Sequence, residues 1–190
     1  GYRRIALIPS AGGAVKLLAE THDAQPNVVD WSADSKSLYF SETRGTVTRL
    51  YSIDVGSNAI TELNKGDDVI GGLTLNSNRS MFGFSMQNSN TAPEAFVSGI
   101  QKFSPVRVSR ANVELPKLPF GKSEVLTWKS SDGLAIEGLL TYPVGYQSGK
   151  RVPLLLVIHG GPSLRNPSSR AAGPPTRWQP FPLKVMPSCV

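Results

Sequence analysis

The sequence predicts a mainly β fold in two unlike parts, and three observations carry that reading. Over residues 1–115, short apolar or alternating runs are separated by turn residues, and few segments show helical periodicity. One run–turn–run unit recurs after about 44 residues. From residue 124 the pattern changes to a hairpin followed by a continuous apolar run that ends in two glycines.

Ile5-Ala6-Leu7-Ile8 is closed by Pro9-Ser10-Ala11-Gly12-Gly13 and followed by Val15-Lys16-Leu17-Leu18, which together read as a hairpin. Gly12-Gly13 is its turn, because no Gly-Lys-Ser/Thr follows to make a phosphate loop. Asp34-Ser35-Lys36 turns the chain between a strand starting at Val28-Val29 and one ending at Tyr39-Phe40. Thr46 to Ile53 alternates with period two, Asp54 to Asn58 reverses the chain, and Ala59 to Leu63 returns it. Ser32–Ser41 then resembles Asn76–Ser85, with Leu38 falling on Phe82 and Phe40 on Phe84. That spacing with about four strands per unit is what a β-propeller blade produces. A β-sandwich with chance similarity is the alternative on the repeat alone. In the propeller reading 115 residues hold two to three blades, fewer than the four or more of a closed ring, so further blades are expected upstream of Gly1 or in another chain.

Composition bounds the functional classes. The chain has 190 residues, a net charge of +6, 39% hydrophobic and 18% charged residues, which suits a folded core. No apolar stretch approaches a membrane span. The single Cys189 excludes a disulfide framework and a cysteine zinc site. Glu137 is the last acid, and the six basic residues after it are scattered among Pro and Ser. They form no basic helix face, so nucleic acid is not an expected partner. No metal or cofactor motif is present. Gly1-Tyr2-Arg3-Arg4 shows no leader, so a cytoplasmic location and a periplasmic or secreted one stay open.

Prolines and a glycine without periodicity over 111–123 mark a boundary. We place blades at 1–115, a linker at 116–123 and a second unit at 124–162. In that unit Glu124–Lys129 is a strand, Ser130-Ser131-Asp132-Gly133 a hairpin turn, and Leu134–Leu140 the returning strand with Ile136, Gly138 and Leu140 on one face. Val152 to Ile158 is continuously apolar, as suits a strand buried on both faces of an α/β sheet. It delivers His159-Gly160-Gly161-Pro162 at its carboxyl end, where open α/β sheets place their ligands. Adjacent glycines allow a tight turn with backbone N–H groups turned outward. Such groups can stabilise charge that develops only in a transition state. A plain turn after a core strand is the bland alternative.

Residues 112–162 resemble the junction of propeller and catalytic domain in the prolyl oligopeptidase family of serine peptidases, with the acylaminoacyl peptidases and dipeptidyl aminopeptidases nearest in character. The residues that carry the resemblance are Glu124 to Gly133, Ile136 to Leu140, Tyr142-Pro143 and Pro153 to Pro162. It implies blades capping an α/β-hydrolase domain, peptide substrates, and hydrolysis through an acyl-enzyme by a Ser-Asp-His triad. It also implies that the N–H of Gly161 contributes to the oxyanion hole, with His159 and Gly160 shaping the turn. A non-catalytic propeller binding module with an unrelated tail is the alternative. An esterase-type hydrolase with His-Gly-Gly would lack the strand repeat upstream.

The departures are as informative. No serine sits in a Gly-x-Ser-x-Gly elbow, and the only histidines are His22, in a loop of the strand repeat, and His159. The triad is absent, and the chain itself is expected to be inactive. After Pro162 the family places a loop, a helix and another buried strand. Here Ser163–Val190 holds six prolines and no acid. We expect 163–190 to be a frameshifted or disordered tail. A reading frame shifted by one nucleotide across Thr176–Val190 permits a helix-like stretch running into an apolar strand.

Overall fold

In the computed structural model, residues 3–88, 91–114 and 119–157 are described, and they contain strands and turns but no helix. The opening hairpin pairs β1 (Ala6–Leu7) with β2 (Lys16–Leu17). Next comes a four-stranded antiparallel meander of β3 (Asn27–Trp31), β4 (Ser37–Arg44), β5 (Val47–Asp54) and β6 (Ile60–Glu62). A second meander has β7 (Val69–Leu75), β8 (Met81–Asn88), β9 (Thr91–Gly99) and β10 (Val106–Arg107). A separate hairpin joins β11 (Ser123–Lys129) to β12 (Ala135–Thr141).

The sequence repeat is a conformational repeat. β4 and β8 start 44 positions apart, at Ser37 and Met81, and β5 and β9 do the same, at Val47 and Thr91. The turns before β4 and β8 close alike. Ser35 N–H donates to Ser32 O (3.0 Å) and Ser32 N–H to Ser37 O (2.8 Å). Arg79 N–H donates to Asn76 O (2.9 Å) and Asn76 N–H to Met81 O (3.1 Å). Ser35 and Arg79 both take left-handed backbone, with φ of 56° and 54°. Asp34 and Asn78 hold these turns by accepting hydrogen bonds from neighbouring hydroxyl and backbone donors. The opening hairpin fits the same period, since Lys16–Leu17 shifted by 44 falls on β6 and Ala6–Leu7 on β5. It stands where the last two strands of another unit would be, so the repeat occupies between two and three units.

Alternation explains how the units stack. On β4 and β5, Leu38 is opposite Ile53 and Phe40 opposite Tyr51. This face is buried with Ile5 and Leu18 of the opening hairpin, and Phe40 stacks on Tyr51 at 5.2 Å. The other face turns Tyr39 and Leu50 into a cluster with Ile70, Phe82 and Phe84 of the second sheet. Tyr39 meets Phe82 edge-on at 5.1 Å. The first sheet therefore has an apolar layer on both faces, as a blade between neighbours requires. Each large side chain fully buried here contributes about 1.5–3 kcal/mol. Arg79 reaches back to Asp30 on β3 (3.3 Å), and Thr48 N–H donates to Asp68 O (3.4 Å), so polar contacts also cross between the sheets.

Two buried carboxylates tie loops to strands. Glu42 on β4 accepts from Thr21 Oγ1 (2.5 Å) and from the N–H groups of Gln25 (3.1 Å) and Asp23 (3.4 Å). Glu94 on β9 accepts from the Ser109 hydroxyl and from the N–H groups of Ala111 (3.0 Å) and Asn112 (2.9 Å). These donors balance the cost of removing each carboxylate from water.

One expected element differs. Val152–Val157 is not a strand, and Leu154 to Val157 are 73–78% exposed. An isolated extended segment gains stability only from a neighbouring ladder, and no described strand pairs with this one. Ile158, His159, Gly160, Gly161 and the segment 163–190 lie outside the described residues.

Candidate functional site

The elements leading toward residues 159–161 are built from local turn chemistry. Ser130 to Leu134 reverses β11 into β12. Gly133 takes φ +84° and donates its N–H to Ser130 O (2.9 Å). Asp132 accepts from the Ser130 hydroxyl and from Leu134 N–H (3.1 Å). The register then runs unbroken from Lys129 opposite Ala135 to Ser123 opposite Thr141. Leu126, Trp128, Ile136 and Gly138 share one face, and the Trp128 ring covers Gly138 closely enough that a β-carbon there would lie 3.0 Å from it.

At the open end of this hairpin, an aromatic and charged cluster flanks a shallow cleft of 420 Å³ beside Phe120, Lys122, Tyr142, Tyr146 and Ser148. Tyr142 and Tyr146 stack with centroids 4.8 Å apart. The Tyr142 hydroxyl donates to Glu124 Oε1 (2.5 Å), and Lys122 Nζ lies 3.0 Å from Glu124 Oε2. The Tyr142 hydroxyl, followed by Lys122, holds the Glu124 carboxyl below its ordinary range. In return the hydrogen bond to Glu124 raises the Tyr142 phenol above its ordinary range. The cluster is a hydrogen-bonded brace across the ends of β11 and β12, with no nucleophile–base pair in it. In the sequence Tyr142 entered only through the resemblance at Tyr142-Pro143, with no role of its own. The available signal was Glu124 and Tyr142 at opposite ends of one predicted hairpin.

His22 is exposed, and its ring lies 5.6 Å from that of Tyr51 at a tilt of 40°. The adjacent Asp23 N–H is taken up by Glu42. The loop thus rests on the first sheet and offers no Ser-His pairing among the described residues. Among those residues no three His, Cys, Asp or Glu side chains converge as a metal site, and no helix is long and apolar enough to cross a membrane.

No family model matches the chain. Curated relatives do. The probable dipeptidyl-peptidase 5 of Trichophyton verrucosum is 27% identical over 189 residues, and the dipeptidyl-peptidase 5 of Trichophyton schoenleinii 26% over 185. Each match takes in 94% of this chain and 25% of the relative, so the chain spans about a quarter of the length of the curated relatives it matches. Among solved structures, the AtxE2 isopeptidase with Astexin3-dC4 bound superposes with a TM-score of 0.60 at 16% identity, over 78% of this chain and 23% of that one. Porphyromonas gingivalis dipeptidyl peptidase 4 gives 0.58 at 14%, over 77% and 21%. At those identities the structural likeness speaks for the fold alone, the stacked antiparallel sheets described above. In sequence the chain resembles a peptidase family represented by dipeptidyl-peptidase 5.

Proposed function

We propose that this chain is part of a serine peptidase of the prolyl oligopeptidase family that hydrolyses short peptides through an acyl-enzyme. In this reading residues 1–115 are late blades of the propeller, 116–123 the linker, and 124–162 the start of the α/β-hydrolase unit. The observation that carries it is the coincidence of two independent patterns. A 44-residue blade repeat, preserved down to the left-handed turns at Ser35 and Arg79, precedes a hairpin and an apolar run ending in His159-Gly160-Gly161. The resemblance to dipeptidyl-peptidase 5 over 94% of the chain supports it.

The chemistry assigned to this chain is electrostatic. The N–H of Gly161 would stabilise the oxyanion, and His159 and Gly160 would shape the turn that aims it. The nucleophile, acid and base have no counterpart in this sequence. The chain alone is therefore inactive, and Val152–Val157 stays exposed for want of neighbouring strands.

The test is to read the genomic DNA across codon 162 and the following few hundred bases, then express the complete locus. A Gly-x-Ser-x-Gly elbow in one frame, labelling by a fluorophosphonate probe and release of dipeptides from chromogenic dipeptidyl substrates are the expected results. A locus product with no elbow in any frame, or one that resists the probe, would remove the serine peptidase reading.

A further inference from the structure

The stack of sheets ends in two unlike faces. Its internal joints keep one order. Phe82 and Phe84 of the second sheet meet Tyr39 and Leu50 of the first, and Leu38 and Phe40 of the first meet Ile5 and Leu18 of the opening hairpin. Each unit thus turns one face back to the unit before it and the other face forward. Cross-strand register identifies corresponding positions. Ala6 is opposite Leu17 as Tyr51 is opposite Glu62, and continuing that register sets Ile8 and Val15 in the places of Ile53 and Ile60. Ile53 and Ile60 pack in the joint between the hairpin and the first sheet. Ile8, Val15 and Leu17 are instead 63%, 57% and 54% exposed. The outward side of the opening hairpin is therefore an open backward face with protruding aliphatic side chains.

The forward face of the second sheet is its complement. The repeat sets Gly83 in the place of Tyr39. Ala95 is opposite Ser85 as Leu50 is opposite Ser41, so Ala95 stands in the place of Leu50. The two side chains that fill the joint inside the stack are here cut back to a hydrogen and a methyl. Met81 and Val97 flank them, and no Lys, Arg, Asp or Glu occupies a paired position on this face. A solvated face of an antiparallel sheet ordinarily carries polar and charged side chains. An uncharged face with a hollow in it is suited to contact.

We propose that the opening hairpin of one copy of this chain docks on the second sheet of another copy, with Ile8, Val15 and Leu17 entering the hollow over Gly83 and Ala95. Continuity argues for that occupant. The contact repeats the backward-on-forward order of both internal joints, and the same molecule carries the protruding face and the hollow. Two different faces meet, so the contact is heterologous and adds copies head to tail instead of closing a two-fold dimer. The proposal goes beyond the peptidase reading and needs only the stacking of sheets.

The test is sedimentation of the 190-residue chain over about 1–100 μM, the range of a small non-obligate contact. The mass should rise with concentration past that of a dimer. Leu17→Arg and Ala95→Arg each put a charge at an exposed position of one face only, and each variant alone should stay monomeric. Mixed in equal amounts they should form a dimer and nothing larger, because one sound face of each kind remains. Association of either variant alone would place the contact on a single face or on Val152–Val157 and overturn the proposal. A monomeric unaltered chain, or a mixture that stays monomeric, would overturn it too. A second measurement adds no charge to either face. In a Cys189→Ser background, a short bismaleimide should link Leu17→Cys chains to Ala95→Cys chains and neither to its own kind. Linking within one kind, or none between the two, would refute the head-to-tail contact. Neither readout involves peptide hydrolysis, so failure of the contact and failure of the peptidase reading are distinguishable.

Discussion

Replacing Leu50 by Ala asks whether the two four-stranded sheets unfold as one body. Leu50 has no exposed surface and packs in one cluster with Tyr39 on its own sheet and Ile70, Phe82 and Phe84 on the other. Its backbone contacts are untouched by the change, since its N–H donates to Asn64 Oδ1 (2.6 Å) and its carbonyl accepts from Leu63 (2.8 Å). The loss is therefore that of the side chain and the cavity it leaves, about 3 kcal/mol for a buried Leu→Ala. In a chain of this size that corresponds to a fall in Tm of roughly 6–12 °C. The assay is urea denaturation with amide exchange read strand by strand. If the cluster couples the sheets, β8 should lose protection along with β5, by about 100-fold in each, which is what about 3 kcal/mol means in an equilibrium constant. Exposed Val106 is the control, because Val106→Ala should change stability by less than about 0.5 kcal/mol. Unchanged exchange in β8 alongside loosened β5 would show that the sheets are independent and that the shared core has been misread.

Three further outcomes follow from particular contacts. The Glu94 carboxyl is held low by the Ser109 hydroxyl, then by Asn112 N–H, so its contribution is present at neutral pH and is lost as pH falls through its folded value. Glu94→Gln should flatten the acid side of a stability–pH curve and loosen residues 109–112, and an unaltered acid limb would contradict this. Tyr142→Phe should let the Glu124 titration rise toward the ordinary carboxylate range in an NMR pH series, because its largest lowering partner is gone; no movement would remove the brace. Ser35→Gly should stabilise by about 0.5–1 kcal/mol by relieving left-handed strain. Arg79→Gly should gain less, because it also loses the Asp30 ion pair; equal gains in thermal melts would show that pair to be inert.

The alternation of Thr46–Ile53, the turn at Asp34-Ser35-Lys36 and its recurrence 44 residues later are local patterns, and they were readable because strand period and turn chemistry act over a few residues. So was the hairpin about Asp132-Gly133, whose side chains bond within their own turn. The peptidase resemblance was legible for the same reason, as it rests on contiguous residues. What the linear order could not show is which face of each strand meets which neighbour. Glu42 and Glu94 look like ordinary strand acids until loops 17 or more residues away bring N–H donors to them. Tyr142 looks like a strand end until pairing sets it beside Glu124. Val152–Val157 shows the converse limit. Its apolar composition states that it can be buried, but burial of a strand needs adjacent chain to satisfy its backbone and cover its faces, and only tertiary structure supplies that.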